Sequence, residues 1–170
     1  MSSNQTLTRD QASWTPTKTI LWSSAVVVVT DGIAGILYFL LLLKMGPALF
    51  MQWIASAING PTAFAAGTST IVEGFIIHLI VTIIMGAVYY YAYKKSSLIR
   101  RNTIASGIIY GLGIWLVMNL LVFPLSNVPP APFVLFNAIV SIIWHIVLVG
   151  VPFAVITNTH SKNSINTYNN

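Results

Sequence analysis

Hydrophobic residues are concentrated in four long runs, and the stretches between and around them carry most of the charged residues. Each run is long enough to cross the hydrocarbon core of a bilayer, which takes roughly 20 helical residues. Backbone groups in lipid must form hydrogen bonds within a closed structure, and no run shows the alternation of a β-barrel strand, so we predict helices. The predicted spans are Ile20–Leu43, Ile71–Tyr93, Ile104–Leu125 and Val134–Ile156.

Two polar segments flank this four-helix transmembrane domain of residues 20–156. Residues 1–19 and 157–170 contain too few apolar side chains to fold alone, so we predict that both are disordered. The leader is not expected to be a signal peptide, because the apolar run after it is too long and lacks a small-residue cleavage pattern. The predicted fold class is therefore all-α: a polytopic four-helix bundle with a disordered leader and tail.

The composition agrees with a membrane protein and excludes several other classes. Of the 170 residues, 56% are hydrophobic and 6% are charged, whereas soluble domains have about 25% charged residues. An ordinary soluble enzyme, a disordered chain and a protein that binds nucleic acid through a basic face are excluded. The absence of cysteine also excludes disulfides, thiolate metal sites and cysteine nucleophiles.

The basic residues predict the orientation of the spans. Of the eight Lys and Arg residues, only Lys44 lies between the first two runs or between the last two. The positive-inside rule then makes both termini and the middle loop cytoplasmic. We expect these cations mainly to set the topology, although the middle loop also suits contact with anionic lipid headgroups. Tyr89–Tyr91 and Tyr93 fit an aromatic belt at the cytoplasmic surface.

A shorter apolar segment, Pro47–Asn59, lies between the first two runs and is too short to span a bilayer. We predict that it forms an interfacial or re-entrant half-helix on the outer side. Its polar residues Gln52, Ser56 and Asn59 fall on one helical face. Two orientations remain open for this face: it covers the outer mouth of the bundle as a lid, or it faces the lipid headgroups, which we favour.

Small and polar residues recur at helical spacing on one side of every span. Small residues allow helices to approach closely, and polar side chains in lipid form hydrogen bonds across helices. We therefore predict a compact bundle in which these stripes face one another. The stripe residues are Ser24, Asp31, Gly32, Gly35 and Tyr38 in the first span, Gly74, His78, Thr82 and Gly86 in the second, Gly107, Gly111, Trp115 and Asn119 in the third, and Asn137, Ser141 and His145 in the fourth.

Three ionisable residues of these stripes are candidates for function. Asp31 lies near the middle of the first span, where an ionised carboxylate costs about 2.5–3.5 kcal/mol on insertion scales. Imidazole titrates near neutrality, so Asp31 with His78 and His145 is suited to hold or relay a proton. The structural alternative, in which these groups only bond neighbouring helices together, remains open. The predicted hydrogen-bonding relays of the path are Asn119, Asn137 and Ser141.

A further acidic residue, Glu73, has a local explanation. Thr70 and Glu73 match a capping box, in which the Thr side chain caps the helix and the Glu side chain reaches back to its amide. Glu73 also lies about 140° from His78 around the helix, so the two are not expected to share a metal. We predict no metal site, no cofactor and no catalytic residue, because no phosphate-binding glycine loop or activated serine is present.

A series of short motifs occurs in order along the four spans. It comprises Gln52–Ser56 with Gly60–Phe64, Gly74 with His78, Tyr110–Gly111 with Met118–Asn119, Pro124–Ser126, and Asn137 with His145. Over roughly residues 20–156 the chain resembles a widespread family of bacterial four-helix membrane proteins. It is more distantly similar to the YagU-like family, whose first loop is longer and differently composed. The resemblance implies a multi-pass protein of the bacterial inner membrane and a link to acid tolerance, and it assigns no catalytic residue.

Three classes of function remain open, and the residues favour a role other than that of an enzyme. The first is proton or small-solute handling through the polar interior, which predicts a homo-oligomer because four helices enclose only a narrow pore. The second is a structural or assembly role beside another membrane-protein partner in the lipid bilayer. The third is a membrane redox protein with bis-histidine haem or another metal.

Overall fold

The computed structural model describes the chain from residue 15 to residue 168, and all regular structure in that part is helical. Four of its helical segments are long and apolar enough to cross a membrane, which confirms the predicted all-α four-span fold. The chain is a multi-pass membrane protein. The first to fourth spans are Pro16–Leu42, Thr68–Lys95, Thr103–Leu125 and Leu135–Ser161.

The first helix, α1 (Pro16–Leu41), begins before the predicted Ile20 because Thr15 and Pro16 form a favourable helix N-terminus. The side-chain oxygen of Thr15 accepts a hydrogen bond from the Lys18 amide at 3.2 Å. Proline suits the first helical position, where no amide donor is needed. Disorder was therefore wrongly predicted for the last residues of the leader, and residues 1–14 lie outside the described part of the chain.

The predicted half-helix is present as α2 (Ala48–Asn59), and we name it the lid helix. A 3₁₀ turn, Gly60–Phe64, connects it to α3 (Thr68–Lys95), which forms the second span. The short helix α4 (Ser97–Arg101) follows at the opposite end of the bundle. The end that carries the lid helix is called the lid end below, and the end that carries α4 is called the basic end.

The third and fourth spans each contain a π-helical segment a few residues before a proline. Proline has no amide hydrogen for the carbonyl four residues earlier, and its ring clashes with that carbonyl, so the helix must widen. Pro124 and Pro152 have this effect here. In order, the segments are α5 (Thr103–Val117), a π segment Met118–Val122 and α6 (Phe123–Leu125), then α7 (Leu135–Trp144), a π segment His145–Gly150 and α8 (Val151–Tyr168).

The last helix, α8, continues far beyond the predicted end of the fourth span at Ile156. This helix continues to Tyr168 in the stretch where the sequence predicted a disordered tail from residue 157. Two polar residues of this stretch belong to the folded bundle: Thr157 is buried, and Asn158 accepts a hydrogen bond from the Tyr93 hydroxyl at 2.9 Å. The sequence of this stretch is as polar as that of a disordered tail. Only the tertiary contacts of Thr157 and Asn158 show that the stretch belongs to the bundle.

The third and fourth spans are packed closely in the basic-end half of the bundle. A Cβ atom added to Gly150 would lie 2.1 Å from the Gly107 carbonyl oxygen and 2.5 Å from the Gly111 nitrogen, so these helix backbones touch. Gly107 and Gly111 of the predicted stripe thus pack against Gly150 of the fourth span, which the predicted stripe did not include. Val27, Tyr89 and Phe153 are almost completely buried beside this contact.

The tyrosines near the end of the second span mostly do not form the predicted aromatic belt. Tyr89, Tyr90 and Tyr93 are buried, and Tyr91 alone of this group is well exposed. The Tyr89 hydroxyl forms a hydrogen bond of 2.8 Å with the Ser106 hydroxyl. Since a buried tyrosine hydroxyl needs a partner, these bonds allow the rings to face the core instead of the membrane surface.

Candidate functional site

A small polar cavity lies between the four spans at the level of Asp31. Its volume is about 60 Å³, and Asp31, His78, Thr82 and His145 line it together with apolar side chains from all four spans. A site of this volume has room for about two to four water molecules when polar partners are available. The structure therefore brings together the three ionisable residues that the sequence singled out.

Asp31 and His78 approach each other across the first and second spans. The distance between Asp31 Oδ2 and His78 Nε2 is 3.7 Å, and the side chains are only 16% and 9% exposed. His78 Nε2 also lies 3.4 Å from the Val28 carbonyl oxygen. A separation of this size between an acid and an imidazole suits one bridging water or a small side-chain movement.

The packing of the second span places His78 in this position. Gly74, His78, Thr82 and Gly86 are all buried, as the predicted stripe requires. The Thr82 hydroxyl donates to the His78 carbonyl at 2.7 Å. Ser24 fills the space beside Gly86 and donates to the Thr82 carbonyl at 3.3 Å. The first two spans thus share a polar seam that leads to the cavity.

The second oxygen of Asp31 has a partner that the sequence reasoning missed. The indole Nε1–H of Trp144 donates to Asp31 Oδ1. The Trp144 ring also stacks on the His145 ring, with centroids 4.9 Å apart and planes 20° apart. A tryptophan in an apolar run is usually assigned to lipid contact, so the sequence carried no signal for this role.

His145 is fixed by a bond within its own helix. Its Nδ1 lies 2.7 Å from the Ser141 carbonyl oxygen. Because a carbonyl only accepts hydrogen bonds, Nδ1 carries the hydrogen, and the neutral ring has its lone pair on Nε2. His145 is therefore able to accept a proton at the nitrogen that is not bonded to its helix.

The predicted relay residues are not among the residues that line the cavity. They lie toward the lid end, along the seam between the third and fourth spans. Ser141 Oγ accepts from Trp115 Nε1 at 3.0 Å, and Asn119 Nδ2 donates to the Trp115 carbonyl at 2.9 Å. The side chain of Asn137 is half-buried and forms no hydrogen bond within the described residues.

The lid helix closes the lid end of the bundle. Its Phe50 ring fills the space over Gly35, and the ring centroid lies 6.3 Å from that of His78. At its other end, the Asn127 amide donates to the Ala57 carbonyl at 3.1 Å. The lid helix therefore reaches from the first two spans to the loop after the third.

The polar face of the lid helix turns into the protein, so the favoured orientation toward the headgroups is wrong. Gln52 and Ser56 are buried. Gln52 Nε2 donates to the Gly67 carbonyl at 3.3 Å, and Ser56 Oγ donates to the Trp53 carbonyl at 2.6 Å. The physical reason is Gly74, because its missing side chain lets the lid helix backbone lie against the second span.

The predicted capping box is also wrong. The second span begins at Thr68 with Gly67 as its N-cap, so Thr70 is already inside the helix. The Thr70 hydroxyl lies 2.7 Å from the Ala63 carbonyl, to which it donates. Glu73 Oε2 accepts from Asn59 Nδ2 at 2.7 Å. Both residues attach the lid segment to the second span.

The site does not suit a haem group. Cofactor pockets usually measure about 300–1,000 Å³, whereas this cavity measures about 60 Å³. In the part of the chain that the structure describes, no group of three or more His, Asp and Glu side chains is arranged to hold a metal ion. The chemistry that the cavity can support is hydrogen bonding and proton exchange among one carboxyl group, two imidazoles and water.

Comparisons with known proteins give no family for this chain. No family model matches it, and neither does any curated protein or any solved structure.

Proposed function

We propose that this membrane protein takes up and relays protons through the polar cavity. The observation that carries the proposal is that Asp31, His78 and His145 all line one cavity of about 60 Å³ within the spans. Ionisable residues inside a membrane are costly, and where they face a bundle interior they commonly mark ion or proton paths. The small volume favours protons over organic solutes.

The positions of Asp31, His78 and His145 suit proton exchange. A proton on His78 Nε2 needs to cross 3.7 Å to reach Asp31 Oδ2, a gap that one water or a small rotation closes. His145 offers a second imidazole on the same cavity. A neutral imidazole accepts a proton and an imidazolium donates one, so either histidine is chemically able to pass a proton to or from water.

We propose that protons approach from the lid end, along the seam between the third and fourth spans. The hydrogen bonds of this seam run from His145 Nδ1 to the Ser141 carbonyl and from the Trp115 indole to the Ser141 hydroxyl. Because neither a carbonyl nor an indole passes a proton on, water along the seam carries the proton to His145 Nε2. Asn119 and Asn137 continue this polar seam outward. On the opposite side of the cavity, Val27, Val149 and Phe153 form a tightly packed apolar barrier. Release toward the basic end therefore requires a conformational change.

Proton flux into liposomes that contain the purified protein tests this proposal. We expect Asp31→Asn to reduce the flux to the level of empty liposomes, and His145→Ala to reduce it strongly. The matched control is Glu73→Gln, which neutralises the acid at the lid while keeping an oxygen for the Asn59 amide. Equal flux in wild-type protein and the Asp31→Asn variant would show that the proposal is wrong.

A second candidate function, assembly with another membrane protein, is supported by the exposed lid-end half of the third and fourth spans. No residue of Met118–Val122, Phe123–Leu125 or Leu135–Trp144 is buried. We propose that a second copy of this chain covers this surface.

Single-cysteine crosslinking in liposomes tests this contact between copies. Leu120→Cys should crosslink between copies, whereas Ile109→Cys, equally exposed in the basic-end half, should not.

We also propose that the basic end is cytoplasmic and that the membrane is the bacterial inner membrane. Lys94, Lys95 and Arg101 are exposed at the basic end, and the positive-inside rule places such a cluster in the cytoplasm. The chain has no native cysteine, so single cysteines can report the orientation. A membrane-impermeant maleimide should label Gly46→Cys in intact spheroplasts and Ser97→Cys only after permeabilisation, and the reverse pattern would refute the orientation.

A further inference from the structure

Trp144 contacts both Asp31 and His145, two of the three ionisable residues on the cavity. Its Nε1–H donates to Asp31 Oδ1, and its ring lies against the His145 ring at 4.9 Å. The Tyr38 ring, 5.5 Å away, lies beside it in the first span. One side chain therefore connects the acid of the first span to the imidazole of the fourth.

We propose that Trp144 is the positioning residue of the proton site: it fixes Asp31 through Oδ1 and leaves Oδ2 to exchange a proton with His78. This inference rests on the proposed function. An indole N–H only donates, and it does not titrate in the physiological range, so it can hold an oxygen without exchanging a proton there. The two oxygens of Asp31 thus acquire different roles.

The local sequence explains how Trp144 reaches both groups. Trp144 is the last residue of α7, and His145 is the first residue of the π segment His145–Gly150. The two rings stack on each other, with their planes 20° apart. His145 lines the cavity, and Trp144, stacked on it, reaches Asp31 Oδ1 from the same helix.

The remaining surroundings of Asp31 contain no further charge in the described part of the chain. His78 faces it from the second span and His145 from the fourth, and the third span contributes only Ile114 and Met118 to the cavity lining. Within the described residues, the two histidines are therefore the titratable groups that face Asp31 across the cavity.

The test replaces Trp144 by Phe, which keeps an aromatic ring for stacking and removes the N–H. Infrared spectroscopy of the protein in liposomes reports the carbonyl band of protonated Asp31, identified by its loss in Asp31→Asn. A hydrogen bond to a carboxylate stabilises the charged form, so the band should appear at a pH about 1–2 units higher in Trp144→Phe. The control is Trp22→Phe, at a half-exposed indole facing lipid, which should leave the midpoint unchanged.

An unchanged midpoint in Trp144→Phe, or an equal shift in Trp22→Phe, would overturn the inference. If Trp144→Phe does not fold, wild-type protein provides the second measurement. The indole ¹⁵N signal of Trp144 should change with the same pH midpoint as the Asp31 band, and a signal that does not change with pH would overturn the inference.

The inference and the proposed function can fail separately. Loss of flux in Asp31→Asn with no band shift in Trp144→Phe removes the positioning role and keeps the proton path. A band shift in Trp144→Phe with normal flux in Asp31→Asn shows the contact with Asp31 and removes the proton path.

Discussion

The two halves of the bundle use the same helical spacing for different purposes. In the basic-end half, Gly107, Gly111 and Gly150 let the third and fourth spans touch through their backbones. In the lid-end half, the same faces carry Asn119 and Ser141, and the third and fourth spans contain no buried residue there. The third and fourth spans are thus closely packed at the basic end and loosely packed, with polar side chains, at the lid end.

Residues that stabilise the contact between these spans and residues that take part in proton exchange therefore lie at different depths in the membrane. Close backbone contact maximises the dispersion and weak hydrogen bonding that hold helices together in lipid. Polar side chains keep helices further apart and retain room for water. The cavity with Asp31 lies at the boundary between the two halves. Substitutions at the glycines should therefore affect folding, whereas substitutions around the cavity should affect proton exchange.

In the third and fourth spans, the largest effect on folding is expected for Gly150→Ala. The new Cβ would lie 2.1 Å from the Gly107 carbonyl oxygen, and because both atoms belong to helix backbones, the spans must separate. We expect a loss of about 2–3 kcal/mol in the free energy of unfolding, measured by thermal or denaturant unfolding in detergent.

Gly113→Ala is the matched control, since no other group lies within 4 Å of the added Cβ. It should leave stability unchanged or raise it by up to about 1 kcal/mol through helix propensity. Equal losses in both variants would contradict the close backbone contact of the basic-end half.

A smaller effect is expected for Thr30→Val, beside the cavity. Pro152 supplies no amide hydrogen to the Leu148 carbonyl, and the Thr30 hydroxyl donates to that carbonyl at 2.7 Å. Removing the hydroxyl should cost about 1 kcal/mol, in line with hydrogen bonds between membrane helices. The loss is measured as the difference in unfolding free energy between the variant and wild-type protein.

A double-mutant cycle sharpens this prediction. Pro152→Ala restores an amide hydrogen for the Leu148 carbonyl, so Thr30→Val should cost less in that background. Thr30→Ser should retain the bond and most of the stability. An equal cost of Thr30→Val in both backgrounds would show that the Thr30–Leu148 bond does not compensate for the proline.

The fold was largely predictable because lipid restricts the choices. Long apolar runs must be helices, so the four spans and the lid helix followed from hydrophobicity and length. The convergence of Asp31, His78 and His145 was also expected, since polar groups turn away from lipid. In these respects the lipid environment determines the fold more than the identity of any single side chain does.

What the sequence could not provide was the choice of partner for each polar group. Glu73 matched a capping box, yet it bonds Asn59 of the lid segment instead. Trp144 was not singled out in the sequence, yet it donates a hydrogen bond to Asp31. Both outcomes depend on contacts between segments distant in the chain, which local spacing does not encode. The buried tyrosines of the second span were missed for the same reason.

Water contact within the bundle is the most direct test of the account, because proton relay requires a hydrated cavity above a dry barrier. Water-edited solid-state NMR in lipid measures magnetisation transfer from mobile water to individual side chains. We predict rapid transfer to His78 and His145 and slow transfer to Phe153 and Ala154, which are completely buried and do not line the cavity. Transfer to the two histidines as slow as that to Phe153 would contradict a hydrated proton site.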